Sequence, residues 1–169
     1  ENIHDPHNVS AILRSCDAVG VPKVSLLYYI EEFPKKIGKQ SSASAGKWVE
    51  TEKYKSVSEC YSKLKEEGFT IVATDCSPEA VSIYDIDFTQ KIAIVMGNEH
   101  RGVSEEALKN ADKRIFIPMF GMVQSLNVSV ATAVILYEAL RQRLINKKYD
   151  KSQLTEDEFN NILEKWLKK

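Results

Sequence analysis

Three short stretches hold the side chains able to bind or move a charge. They are Asn8 and Arg14 with His4 and His7 beside them, the run Gly97-Asn98-Glu99-His100-Arg101-Gly102-Val103-Ser104, and the polar trio Ser125, Asn127 and Ser129. Ser125 reads as the N-cap of a helix whose Leu126, Val128, Val130, Ala131, Ala133, Val134, Ile135, Leu136 and Tyr137 leave no polar face, the pattern of a buried helix. Its first turn nevertheless carries hydroxyl and amide groups. There they either satisfy neighbouring backbone or join the free N–H groups in holding an anionic ligand group. The middle run has the glycine spacing of a phosphate-binding loop, but Val103 stands where a lysine must reach the phosphates and Glu99 would repel them. None of the seven glycines makes a G-x-G-x-x-G. His4, His7 and His100 lack metal-ligand spacing and read as solvated loop histidines. Ser125 sits in V-Q-S-L-N rather than in a G-x-S-x-G elbow. Common nucleotide-cofactor, metal and serine-hydrolase chemistries therefore fall away. Taken locally, Arg14 pairs on the surface with Asp17.

An alternation of helices and strands must position these groups. Val9, Ile12, Leu13, Cys16 and Val19 line one face of a helix that Asn8 can cap and that Gly20 and Pro22 close, with Ser10, Arg14 and Asp17 on the other face. Residues 23–29 read as a strand, and the polar segment 31–47 as a mobile loop of the length that often carries function. A strand over 48–52 leads to a helix with Ser56 and Glu59 as capping box, Val57, Cys60, Tyr61 and Leu64 as its buried face, and Gly68 at its end. Strands follow over 69–74, 92–96 and 115–117, the last two buried and the third stopped by Pro118. A helix opened by Ser104, Glu105 and Glu106 lies between the second and third. A final helix, capped by Thr155 and Glu158, carries the stripe Phe159, Ile162, Leu163, Trp166 and Leu167, which should dock on the rest. The pattern predicts an α/β fold with a mostly parallel sheet flanked by helices on both faces. In such sheets ligands bind at the carboxyl ends of strands, so the loops after Thr74, Met96 and Ile117 belong together.

At 169 residues and 43% hydrophobic, the chain suits one domain. Its net charge of −1 is not that of a strongly basic nucleic-acid binder, although local patches remain open. Cys16, Cys60 and Cys76 are odd in number and widely spaced, which fits a reducing, cytoplasmic compartment. No apolar run is long enough to span a bilayer and no signal peptide is present. The sequence opens on Glu1 rather than Met, which fits a piece of a longer chain.

The segments NIHDPHNVSAILRSCDAVG (2–20), IAIVMGNEHRGV (92–103) and IPMFGMVQSLNVSVATAVILYEALRQR (117–143) resemble, in order, motifs one, two and three of the SpoU family of RNA ribose 2′-O-methyltransferases, in the SPOUT superfamily. The unbroken GMVQSLNVSVA and the following ILYEA-x-RQR resemble most the tRNA guanosine 2′-O-methyltransferase group (TrmH).

That resemblance implies a carboxyl-terminal deep trefoil knot, S-adenosylmethionine as cofactor without a metal, a homodimer, and RNA, most of all tRNA, as partner. It implies a methyltransferase domain over 1–147 and a carboxyl-terminal helical extension over 148–169. Thr74, Gly97, Ile117, Met119, Ser125 and Leu126 are the implied cofactor-pocket residues. Asn8, Arg14, Glu99, Ser125 and Asn127 match the positions associated with catalysis and ribose binding. Because an arginine stays protonated, Arg14 is expected to orient a phosphate and stabilise a developing alkoxide, with a substrate phosphate oxygen as proton acceptor. Members of the tRNA group usually carry a helical segment before motif one, which here begins at residue 2. Either the chain is a piece of a longer one, or RNA is gripped by Lys35, Lys36, Lys39 and Lys47 together with Arg141, Arg143, Lys147, Lys148 and Lys151. The target implied is a D-loop guanosine of tRNA. Ribosomal RNA or another tRNA nucleoside is the alternative, and an inactive RNA- or protein-binding relative a further one.

Overall fold

The computed structural model describes residues 1–34, 45–152 and 154–168, so most of the expected 31–47 loop, with Lys35, Lys36 and Lys39, lies outside the described residues. Helix α1 (Pro6–Ala18) leads into strand β1 (Lys23–Leu27), the short helix α2 (Ala45–Trp48) and strand β2 (Glu50–Tyr54). Helix α3 (Val57–Glu66), strands β3 (Thr70–Thr74) and β4 (Val81–Ser82), and a single 3-10 turn (Ile83–Asp85) follow. Strand β5 (Ile92–Val95), helix α4 (Glu105–Asn110), strand β6 (Lys113–Phe116), and helices α5 (Val128–Ile145) and α6 (Glu156–Leu167) complete the described chain.

Every strand pairing among the described residues is parallel. β1 pairs with β2, and the larger sheet runs β4-β6-β3-β5. In β3 the alternation of side chains serves two cores. Ile71 and Ala73 pack with Val57, Cys60, Tyr61 and Leu64 of α3 and with Ala107 of α4, while Val72 faces Ile115 and Ile135 on the other side. A third cluster joins Val9, Ile12, Leu13 and Cys16 of α1 to Leu26 of β1 and to Val128 and Leu136 of α5. The sheet is thus covered on both faces, as the apolar strands required.

Several boundaries differ from the sequence expectation for local reasons. Asp5, not Asn8, caps α1. Its side chain accepts the His7 N–H at 2.8 Å, and Pro6 occupies a first helical position that needs no donor. Asn8 therefore falls inside the first turn with its amide available for other work. Ser10 is buried at 1% exposure rather than sharing an outer face with Arg14. Ser56 caps α3, but the Glu59 carboxylate reaches the Lys55 N–H, 3.5 Å away. Trp48 lies in α2, and the strand expected there begins at Glu50.

Asn127, not Ser125, caps α5. Its backbone is still extended, with ψ 139°, and its Oδ1 accepts from the Ser129 N–H at 2.9 Å and the Ser129 hydroxyl at 2.6 Å. Nor is α5 buried all round. Val128, Thr132, Ile135, Leu136 and Glu138 face the core, whereas Val130, Tyr137, Leu144 and Ile145 are exposed. A single sheet can cover only one side of such a helix. β5 lies at a sheet edge and is half-buried, and Phe116 in β6 is exposed. Thr155 and Glu158 form the expected capping box of α6. Its stripe docks only lightly, through Trp166 edge-on to Trp48 at 5.7 Å and Lys165 to Glu50 at 3.1 Å.

Candidate functional site

The turn that follows β5 is drawn tight by its own backbone. Asn98 and Gly102 exchange N–H···O bonds of 3.0 and 2.8 Å, and Gly102 has φ +70°. A Cβ on Gly97 would stand 2.1 Å from the Gly102 carbonyl carbon, so Gly97 is there because the chain returns too close for a side chain. The buried Asn98 accepts the N–H groups of His100 and Arg101 on Oδ1 and donates from Nδ2 to the Asn2 carbonyl at 2.7 Å.

That turn aims Glu99 at the start of α1. Its carboxylate accepts the His4 N–H at 2.8 Å, the Asp5 N–H at 3.1 Å and the Asn8 Nδ2 amide at 2.8 Å. Burial opposes ionisation of Glu99, yet the Asn8 amide and the backbone N–H groups outweigh it and hold its pKa below the usual carboxylate value. Asn8 Oδ1 in turn accepts the Asn127 amide at 3.1 Å. Glu99, Asn8 and Asn127, separated by 91 and 119 residues along the chain, thus form one hydrogen-bonded line from the β5 turn across α1 to the cap of α5. His4, Asp5, Pro6, Asn8, Glu99 and His100 line an open cavity of about 430 Å³ beside it.

The other two candidates stand apart from this line. Arg14 is exposed on α1, and among the described residues neither it nor Ser125 makes a hydrogen bond or ion pair, so the Arg14–Asp17 pair does not form. Of the cofactor candidates, Thr74, Gly97 and Ile117 lie at or just past the carboxyl ends of the adjacent strands β3, β5 and β6, with Met119, Ser125 and Leu126 in the segment that follows β6. Thr74 donates to the Val95 carbonyl at 3.1 Å, Gly97 is buried, Ile117 and Met119 are half-buried, and Ser125 and Leu126 are exposed. None of the six is charged. Among the described residues no group of His, Cys, Asp or Glu is placed to hold a metal ion.

Residues 1–137 match the SpoU rRNA Methylase family. The chain belongs to that family.

Its relatives include a tRNA (guanosine(18)-2′-O)-methyltransferase of Aquifex aeolicus, 47% identical over 98% of this chain and 78% of the relative. The crystal structure of an A. aeolicus TrmH/SpoU tRNA modifying enzyme superposes with a TM-score of 0.90 at 45% identity, covering 98% of this chain and 83% of that one. The SpoU methyltransferase AviRb of Streptomyces viridochromogenes, in complex with the cofactor AdoMet, superposes with a TM-score of 0.74 at 28% identity over 85% of this chain and 56% of that one.

Residue patterns alone missed Asn2 and Asn98, the two buried asparagines that brace the site. Asn2 has φ +47°, and its Oδ1 accepts the N–H groups of Tyr29, Ile30 and Glu31 at 3.0–3.2 Å. An asparagine tolerates that backbone better than most residues, but nothing in the local sequence announces it. Two arginines of the basic grip expected at the end of motif three have partners within the chain. Arg141 forms a two-pronged pair with Glu138, at 2.8 Å for each bond, and Arg143 donates to the carbonyls of Phe88, Thr89 and Gln90.

Proposed function

We propose that this SpoU-family chain transfers a methyl group from S-adenosylmethionine to a ribose 2′-hydroxyl of RNA, and that its target is guanosine 18 in the D-loop of tRNA. The observation that carries the reading is the Glu99–Asn8–Asn127 line, which joins one residue from each of the three motifs at the mouth of the cavity. Relatives named as tRNA (guanosine(18)-2′-O)-methyltransferases support the substrate.

In this reading, Asn8 and Asn127 present amide groups to the substrate ribose while Glu99 fixes Asn8 and the first turn of α1. Ser125 lies in the exposed segment that leads into α5. Arg14 orients a phosphate and stabilises charge developing on the attacking oxygen. The cofactor, when bound, supplies an electrophilic methyl on a sulfonium. Thr74, Gly97, Ile117, Met119, Ser125 and Leu126 would hold it, and their uncharged, partly apolar character suits a neutral adenine and a cationic sulfur.

The finer organisation belongs to the same proposal. The segment after β6 completes a trefoil knot, residues 1–147 act as the methyltransferase unit with 148–169 as a helical extension, and the enzyme works in the cytoplasm. A second copy covers the bare apolar side of α5 and brings Arg14 to its partner's cofactor site. No helix among the described residues is long and apolar enough to cross a membrane.

The test is to incubate the chain with tritiated S-adenosylmethionine and bulk RNA and to map the labelled nucleotide. Label at a 2′-O-methylated guanosine of the tRNA D-loop is expected, whereas label confined to ribosomal RNA transfers the chemistry to the other substrate. Light scattering of the same preparation should give twice the chain mass, and a monomer at micromolar concentration removes the composite site.

A further inference from the structure

The proton of the reacting hydroxyl needs an acceptor, and the cavity narrows the choice. Glu99 already accepts three N–H groups, and Asp5 is committed to capping α1. The amides of Asn8 and Asn127 are not bases, and an arginine keeps its proton. His4 is differently placed. Its Nδ1 lies 3.3 Å from Glu31 Oε2, and its Nε2 has no partner among the described residues. Glu31 is itself held, by Arg101 through its side chain and by Asn2 Oδ1 through its backbone N–H. The same residue's backbone ties it to the site, because the His4 N–H is one of the three donors to Glu99.

We infer that His4, oriented by Glu31, is the proton acceptor for the hydroxyl that is methylated, an inference that rests on the methyltransferase reading above. A carboxylate on Nδ1 selects the tautomer with its proton there and leaves the Nε2 lone pair for the cavity. As the oxygen–methyl bond forms and the methyl–sulfur bond breaks, the bonding pair leaves with sulfur and the hydroxyl proton passes to Nε2. The resulting imidazolium sits beside the Glu31 carboxylate, and Arg101 on the far side keeps that carboxylate ionised. The charged and titratable groups facing His4 are Glu31 from the segment after β1, Glu99, His100 and Arg101 from the β5 turn, and Asp5 on its own segment. His100 meets His4 edge-on at 5.9 Å, and among the described residues no carboxylate fixes its ring. His4 therefore replaces the substrate phosphate oxygen as acceptor, while Arg14 keeps its electrostatic role.

The experiment compares wild type, His4→Gln and Glu31→Gln in single-turnover methyl transfer to tRNA transcript across pH, alongside ¹⁵N NMR of the imidazoles in the folded chain without cofactor. The expected result is a fall of about a hundredfold or more for His4→Gln, with loss of the acidic limb of the pH profile and unchanged affinity for S-adenosylhomocysteine. Glu31→Gln should fall less and should weaken the Nδ1–H tautomer that NMR reports for wild-type His4. Turnover of His4→Gln within a few-fold of wild type, or an Nε2–H tautomer in the wild-type chain, overturns the inference while leaving the methyltransferase reading intact. A wild type that transfers no methyl to any RNA brings down both, with the NMR result then describing only a surface pair.

Discussion

The two ends of α5 both carry polar side chains that reach across the fold, and they differ in what is left over. At its amino end, Asn127 reaches Asn8 and through it Glu99, beside an open cavity, with Arg14 and Ser125 nearby in sequence motifs but unpartnered among the described residues. At its carboxyl end, the buried Glu138 binds Arg141 and Gln142. Gln142 also donates to the Ile86 carbonyl and accepts the Phe88 N–H, and Arg143 closes on the carbonyls of residues 88–90. The second network is satisfied by the chain itself and clamps the 86–90 loop. The first borders an open cavity and, in the proposed reading, serves the substrate ribose. Charge and residue type do not distinguish the two ends; the presence or absence of partners within the chain does.

The comparison breaks most visibly at Arg14. If it serves substrate alone, Arg14→Lys and Arg14→Ala should each lose on the order of a hundredfold or more in single-turnover rate, because a lysine cannot reproduce two parallel hydrogen bonds. Affinity for S-adenosylmethionine should stay normal, and unfolding free energy should move by less than about 1 kcal/mol, as for an exposed side chain. Near wild-type turnover in Arg14→Lys would refute the planar-fork role, and a large fall in the urea midpoint for Arg14→Ala would place Arg14 with the architectural end.

Gln142→Ala is the mirror experiment. It leaves the Phe88 N–H without its acceptor and removes a donor from the buried Glu138 carboxylate. A loss of roughly 1–3 kcal/mol in urea unfolding is expected, with the turnover of the folded fraction unchanged. A variant that folds as well as wild type but methylates poorly would mean that the clamp belongs to the substrate site after all.

Legibility in the sequence followed the range of the interaction. Caps such as Ser104 and Thr155 and the apolar runs of β3 and β5 are local patterns, and they placed the elements to within a few residues. Ser125 and Asn127 are both good caps two residues apart, and only the chain's path into α5 decides between them. The apolar pattern of α5 predicts burial all round, but the same pattern equally suits a helix with one face left bare for a second surface. Asn8, Glu99 and Asn127 share no local signal, and it was the resemblance of three motifs, not spacing, that grouped them. Metal-ligand spacing does not single out His4, and the carboxylate beside it, Glu31, comes from the segment after β1, 27 residues away.

The smallest expected effect is in acid, where each end of α5 holds one glutamate whose pKa lies below the ordinary value of 4.5. For Glu138 the leading cause is the hydrogen bond from Arg141, whereas for Glu99 burial acts the other way and is outweighed by Asn8 and backbone donors. A carboxylate with a depressed folded-state pKa contributes stability that is fully present above its unfolded value and is lost as pH falls through the folded one. Urea midpoints should therefore hold from neutrality down to about pH 5 and decline below the ordinary glutamate value. Glu99→Gln and Glu138→Gln should each flatten part of that decline, because a glutamine has no proton to bind. The two variants should separate in activity, with Glu99→Gln slowing methyl transfer at neutral pH and Glu138→Gln leaving it unchanged. If Glu99→Gln titrates in acid like wild type, its carboxylate is not held by the three N–H donors in solution, and the open end of α5 loses the group that fixes Asn8.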